Sequence, residues 1–257
     1  MKLLDLTLDD PAANVALDDA LVEAADARLA ALDSSNNAND DGAEFETLRL
    51  WEPARPMVVL GRSSRIAEEV DVDACRAAGA AIVRRASGGA TIVTAPGCLM
   101  YAVVLSYRVR PELRAIDAAH RFVLERIAAG LKTLTGNVVL RGTSDLASVG
   151  PDASERKVSG NSMRCRREFM LYHGTLLYDF PLEVVGRLLR TPPRQPDYRQ
   201  GRNHGEFVAN LPATQQQLRQ AIAAAFAAIE PATAWPQDEV ARLVREKYGT
   251  AAWTNLL

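Results

Sequence analysis

The 257-residue sequence predicts an α+β fold (α/β mixed), in which a mixed sheet is flanked by helices. Two patterns and the composition support this. Short apolar runs such as Leu48-Arg49-Leu50-Trp51, Met57-Val58-Val59-Leu60 and residues 99–105 read as strands. Helix-period segments separate some of these runs but not others, so there is no strict strand–helix alternation of the kind that builds an all-parallel sheet. Hydrophobic residues make up 48% of the chain and charged residues 24%, an ordinary globular balance that can bury a sizeable core at this length.

The elements follow in order. Leu4, Leu6 and Leu8 alternate as in a short strand. Asp9 or Asp10 can then cap a helix with Pro11 in its first turn, its apolar face set by Leu17, Leu21, Ala25, Leu29 and Leu32. Residues 34–42 (SSNNANDDG) read as a mobile surface loop. Strands at 48–51 and 57–60 precede a short helix around 72–78, and a helix over 112–134 places Ile116, Val123, Ile127 and Leu131 on one face. Residues 138–140 read as a strand and 142–146 as a turn. Residues 168–180 read as a long strand with Phe169, Leu171, His173, Thr175 and Leu177 on a common side. A helix over 181–189 and a proline- and arginine-rich loop over 191–210 come next. Two closing helices are marked by Leu218, Ile222 and Phe226 and by Val240, Leu243 and Val244.

The most informative stretch is Arg84-Arg85-Ala86-Ser87-Gly88-Gly89-Ala90-Thr91-Ile92-Val93, where a strand feeds a tight turn and a second strand. Glycines let backbone approach a ligand closely, and guanidinium groups grip carboxylates or phosphates in planar bidentate pairs, so this reads as an anion-binding loop. Only four of the 30 basic residues are lysine, so a lysine inside a motif stands out from the arginine used elsewhere for positive charge.

Composition excludes several classes. A formal net charge of −2 gives no global attraction to nucleic acid or an anionic membrane, and no apolar run approaches the roughly 20 residues of a membrane span. The three cysteines (Cys75, Cys98, Cys165) and three histidines (His120, His173, His204) are scattered, which argues against a zinc or disulfide framework and for a reducing, cytoplasmic setting. No nucleic-acid or membrane partner is expected.

At Arg84–Gly89 the chain resembles the R-R-x-S-G-G signature of the lipoate–protein ligase A family, within the biotin/lipoate protein ligase catalytic-domain superfamily. Four further pieces agree in order: Asn14-Val15-Ala16-Leu17-Asp18-Asp19-Ala20-Leu21, Gly142-Thr143-Ser144-Asp145-Leu146, Lys157-Val158-Ser159-Gly160-Asn161 and His173-Gly174-Thr175-Leu176-Leu177. The resemblance implies a class II aminoacyl-tRNA synthetase/biotin-ligase-like fold. It also implies a single catalytic domain over residues 1–257, with no C-terminal accessory domain and no N-terminal DNA-binding domain. The implied chemistry is ATP- and Mg²⁺-dependent activation of lipoate or octanoate to an acyl-adenylate, followed by transfer to a lysine of a lipoyl-acceptor protein. The family's usual acceptors are a 2-oxo acid dehydrogenase lipoyl domain or the glycine-cleavage H protein, and a separate accessory-domain protein can take part.

On that resemblance Lys157 is the catalytic candidate, able to bridge the acyl oxygen and the α-phosphate as a compact charge with three donors. Arg85 is assigned to the phosphates, and Ser87, Gly88, Gly89, Ala90, Thr91, Ile92 and Val93 to the wall of the acyl-adenylate site. Asp145 is assigned to positioning Lys157 or holding Mg²⁺, and His173 to a supporting role behind them. The chain departs from the family pattern at Ala90 (a third glycine there), at Thr94-Ala95 (His-Asp), at Cys98 (Asn) and at Ser144 (Asn). These departures border the acyl pocket. Two rival readings remain: an ATP-independent octanoyl or lipoyl transferase using a cysteine thioester, with Cys98 or Cys165 as nucleophile, and a non-catalytic protein that binds lipoate or an acyl-adenylate.

Overall fold

The computed structural model describes residues 1–34, 40–190 and 195–257. The chain begins with β1 (Lys2–Asp5) and α1 (Pro11–Ser34), and continues through β2 (Thr47–Trp51), β3 (Met57–Leu60), α2 (Ile66–Glu69), α3 (Val72–Ala77), β4 (Ala81–Arg84) and β5 (Ile92–Thr94). Then come β6 (Cys98–Ser106), α4 (Ile116–Thr135), β7 (Val138–Arg141), β8 (Asp145–Val149), β9 (Glu155–Cys165) and β10 (Phe169–Leu177). The last part holds α5 (Glu183–Leu188), α6 (His204–Phe207), α7 (Gln215–Ala225), β11 (Glu230–Pro231), α8 (Gln237–Leu243), a π-helical turn (Val244–Tyr248) and α9 (Ala251–Thr254).

Two sheets form where the sequence suggested one. The larger runs β11-β1-β2-β6-β10-β9-β8-β7, with β1 parallel to both neighbours and the remaining pairs antiparallel. The smaller, β4-β3-β5, carries the glycine loop between β4 and β5. The two are separate because β3 pairs only with the two strands flanking that loop.

Strand β6 is buried at all nine positions, the signature of a central strand covered on both faces. On one face, Phe169 and Leu171 of β10 pack with Val22, Ala25 and Leu29 of α1. On the other, Met170, Tyr172 and Leu176 pack with Val123 and Ile127 of α4 and with Leu218 and Ile222 of α7. The period-two face read from sequence therefore holds, and it aims His173 and Thr175 to the α1 side. Helix α4 starts at Ile116 after a 3₁₀ turn over Pro111–Arg114. Ile116 is exposed rather than on the buried face, because it is the first helical residue and α4 reaches the sheet only further along.

The start of α1 is fixed by Asp10, whose Oδ1 accepts from the Ala12 amide at 3.0 Å. Its Asp18-Asp19 pair divides its attention: Asp18 turns toward the sheet, while Asp19 Oδ2 accepts from Arg164 (2.8 Å), Lys247 (3.2 Å) and Tyr248 (2.6 Å). The π-helical turn is thereby docked on α1. Of the loop read at 34–42, residues 35–39 lie outside the described residues, as do 191–194 of the loop read at 191–210. The rest of that second loop is not free chain. It forms a 3₁₀ turn (Asp197–Arg199) and α6, and Val208 bridges to Lys157.

Candidate active site

A cavity of about 400 Å³ lies where the glycine loop, α1, the start of β8 and the middle of β9 and β10 meet. That falls in the range of roughly 300–1,000 Å³ usual for small-molecule sites. Five stretches of the chain converge there: Asp18 from α1, Arg85 and Gly89–Ile92 from the loop, Ser144 and Asp145 from the turn into β8, Lys157 and Gly160–Ser162 from β9, and His173 from β10. Val15, Trp51, Val59 and Met100 supply its apolar wall.

Lys157 and Asp145 are brought together by β8–β9 pairing. Lys157 Nζ sits 2.7 Å from Asp145 Oδ1, with the lysine side chain 26% exposed and the carboxylate 13%. Gly160 makes room for this pair, since a Cβ there would lie 2.9 Å from Lys157 Cε and 3.0 Å from Nζ. The second carboxylate oxygen, Oδ2, accepts from the Tyr198 phenol at 2.9 Å. Both oxygens of Asp145 are thus engaged by protein donors. Of the two roles considered for Asp145 from sequence, this geometry supplies the contact with Lys157 that the positioning role requires. Among the described residues no three His, Cys, Asp or Glu side chains cluster as a metal site.

The loop arginines do not do what their charge suggests. Arg84, fully buried, donates to the carbonyls of Gly61, Ser64 and Thr254 at 2.7–2.8 Å and so ties the chain's last helix to the loop base. Arg85 lines the cavity, yet its guanidinium donates to the carbonyls of Val59 (3.1 Å), Gly88 (2.5 Å) and Ala90 (2.9 Å) and to Ser87 Oγ (3.1 Å). Burial pulls its pKa down to about 10. These donors brace the loop, so Arg85 shapes the cavity wall as well as lending it charge. Gly89 adopts φ +85°, and a Cβ on Gly61 would lie 1.9 Å from the Gly89 carbonyl oxygen, so both glycines are required by the backbone. Ala90 is not among the positive-φ residues, which explains how alanine stands where the family has a third glycine.

Behind the loop runs a buried polar chain. His173 Nε2 is 2.6 Å from Ser87 Oγ, and its Nδ1 is 3.0 Å from Asp18 Oδ2. Asp18 Oδ1 in turn accepts from Arg49 Nη1 at 2.7 Å, and Arg49 also donates to Leu6 O, Asn14 O and Asn14 Oδ1. Both ring nitrogens of His173 are occupied, so it supports the loop. Neither Ser87, Gly88 nor Val93 lines the cavity among the described residues: Ser87 faces His173, the Gly88 carbonyl accepts from Ser162 Oγ at 2.9 Å, and Val93 joins the core. Thr91 does line it, with a buried hydroxyl that has no partner among the described residues.

The candidate nucleophiles lie elsewhere. Cys98 is fully buried beside Met100, and burial pushes its thiol up to about 12. Cys165 is exposed at the far end of β9 from Lys157. Neither is among the residues lining the cavity. Asp18 and Trp51 line the site and were not singled out from sequence, and Tyr198 touches it from the proline- and arginine-rich loop. Asp18 had a signal, since it stands inside the Asn14–Leu21 motif.

A family model described as the lipoyl protein ligase A/B catalytic domain matches residues 10–227. The octanoyltransferase LipM of Symbiobacterium thermophilum is 29% identical over 248 residues, covering 84% of this chain and 89% of that protein. A bi-partite lipoate protein ligase from Thermoplasma acidophilum, studied with its E2 lipoyl domain, superposes with a TM-score of 0.75 at 21% identity, covering 100% of this chain and 96% of that one. A lipoate-protein ligase A bound with ATP gives a TM-score of 0.75 at 22% identity, covering 100% and 99%.

Proposed function

The chain belongs to the lipoyl protein ligase A/B catalytic-domain family, and from that premise we propose that it is an ATP-dependent lipoate–protein ligase. A lipoate or octanoate carboxylate attacks the α-phosphorus of ATP, pyrophosphate leaves, and an acyl-adenylate forms. A lysine amine of a lipoyl-acceptor domain then attacks the acyl carbon, losing a proton as AMP departs.

The observation that carries this reading is the composition of the cavity: a lysine ammonium is held there by Asp145, and no thiol is. The first step brings two anions together, so a cation and backbone donors aimed at the developing charge are the equipment it needs. Lys157 is the cation whose donors are not consumed by carbonyls. The Thr91 hydroxyl adds a neutral donor, and Val15, Trp51, Val59 and Met100 suit an apolar acyl tail. A thioester mechanism needs an accessible, activated thiol at the acyl carbon, and Cys98, held protonated in the core, does not meet that need. The two ligase structures that share this fold, one bound with ATP and one studied with a lipoyl domain, support this substrate set.

The rival has its own support in the likeness to an octanoyltransferase. One pair of assays separates them. Lipoate-dependent exchange of labelled pyrophosphate into ATP, lost in Lys157→Ala, is the expected result. Octanoyl transfer from an acyl carrier protein without ATP, abolished by Cys98→Ser or Cys165→Ser, would replace the ligase with the transferase.

A further inference from the structure

Tyr198 comes from a part of the chain remote in sequence from every motif, yet its phenol reaches the oxygen of Asp145 that Lys157 leaves free. We propose that Tyr198 is a positioning residue for the reaction, acting on Lys157 through Asp145; this rests on the ligase reading above.

Three observations place it. The segment is pinned to the strand that carries Lys157: Arg202 donates to the Glu155 carbonyl (2.7 Å) and to the Tyr198 carbonyl (2.7 Å), Arg156 donates to the Val208 carbonyl (2.7 Å), and the Ala209 amide donates to the Lys157 carbonyl (2.9 Å). The ring packs against Phe207 at 5.0 Å between centroids and lies beside the Gly142 turn, where a Cβ would be 3.8 Å from Tyr198 Cε1. Burial and the Asp145 carboxylate raise the phenol's pKa further above its ordinary value, so it remains a proton donor throughout the working range.

The consequence is mechanical and electrostatic together. A carboxylate with one partner can rotate about its χ2; with Tyr198 on Oδ2, Oδ1 is kept facing Lys157, and a side chain with four rotatable bonds is held in one place. The phenol also takes part of the carboxylate's charge. Lys157 is therefore gripped firmly enough to be placed, and lightly enough to share its remaining donors with an incoming anion.

The test is Tyr198→Phe, which keeps the ring and deletes one hydroxyl, measured beside Asp145→Asn and the double variant. Removing one hydrogen bond to a charged group predicts a drop of about tenfold in the exchange kcat, with KM for ATP and acid within about threefold. In the Asp145→Asn background the second change should cost less than about twofold, since the effect travels through Asp145. A second readout needs no activity: brief acetic-anhydride labelling, quantified at Lys157 against Lys2, should differ from wild type in Tyr198→Phe and stay at the Asp145→Asn rate in the double variant. Wild-type kcat and labelling in Tyr198→Phe, or losses that simply add in the double variant, overturn the inference while leaving the ligase reading standing. Absence of exchange in the wild-type protein, with labelling changed as expected, overturns the ligase reading and leaves the positioning role intact.

Discussion

Gly160→Ala isolates the placement of Lys157 from every other property of the site. The added Cβ would sit 2.9 Å from Lys157 Cε and 3.0 Å from Nζ, closer than real Cβ contacts allow, and the clash falls on the flexible end of a side chain. The lysine must therefore swing aside by several tenths of an ångström to about 1 Å, breaking its 2.7 Å contact with Asp145. Fold stability has little reason to fall: Gly160 does not need a positive φ, and glycine inside a strand is worth roughly 0.5–1 kcal/mol less than alanine. A misplacement of about 1 Å at a reacting group costs on the order of 100-fold in rate. Pyrophosphate exchange should thus drop about 100-fold with the melting temperature unchanged or slightly raised. Gly174→Ala is the contrasting control, because its Cβ would collide with Asn161 Oδ1 at 1.8 Å and with the Gly160 carbonyl oxygen at 2.9 Å. That variant should lose stability as well as rate. Exchange within threefold of wild type in Gly160→Ala would refute the assignment of Lys157.

Three further outcomes follow from the buried groups. Native protein at pH 8 should take up one equivalent of iodoacetamide, at exposed Cys165, with Cys75 and Cys98 labelled only after denaturation. Because the folded pKa of Cys98 is raised, the stability from burying its neutral thiol is complete below the unfolded value near 9 and is lost as pH climbs through about 12, which a denaturation series in alkaline buffers would show. Asp18→Asn leaves the buried Arg49 charge without its counter-ion, the pair's side chains being 5% and 0% exposed, and should destabilise the protein by about 3 kcal/mol or more in a urea titration.

How much was legible in the sequence depended on whether a residue's role is local. Lys157, Gly160 and Asn161 sit within one strand, and their order alone marked them. The face of β10 that presents His173 followed from its period of two. Arg85 was legible as a cavity residue, but a sequence shows a charge and not the three carbonyls that converge on it. Trp51 had no signal, lying in an apolar run like any other strand; the charged loop holding Tyr198 was legible as a candidate cover or acceptor platform, but not its contact with Asp145 across 53 positions. Cys98 was placed in the pocket wall because it follows Pro96-Gly97 where the family pattern has asparagine. The register explains the miss. Met100 pairs with Thr175 beside the site, whereas Cys98 pairs with Leu177, one step further into the core.

That register also gives the departures from the family pattern a common meaning. Thr94 donates its hydroxyl to Met100 Sδ at 3.2 Å, and the Cys98 thiol lies 3.8 Å from the same sulfur. Neither lines the cavity, but both hold the side chain that does. Met100 is thus the point through which two altered positions act on the apolar wall, and a thioether is a flexible gap-filler whose setting depends on such neighbours. Trimming it tests this directly. Met100→Ala opens the wall without touching Lys157 or the loop, so the exchange rate should shift toward bulkier or longer acids. The change in kcat/KM ratio should be about tenfold or more per methylene accommodated, as is usual for apolar pockets. Restoring asparagine at Cys98 should move the same ratio in the Met100 background and leave it unmoved in the Met100→Ala background. An acid preference insensitive to Met100, or equally sensitive to position 98 in both backgrounds, would show that the tail lies elsewhere.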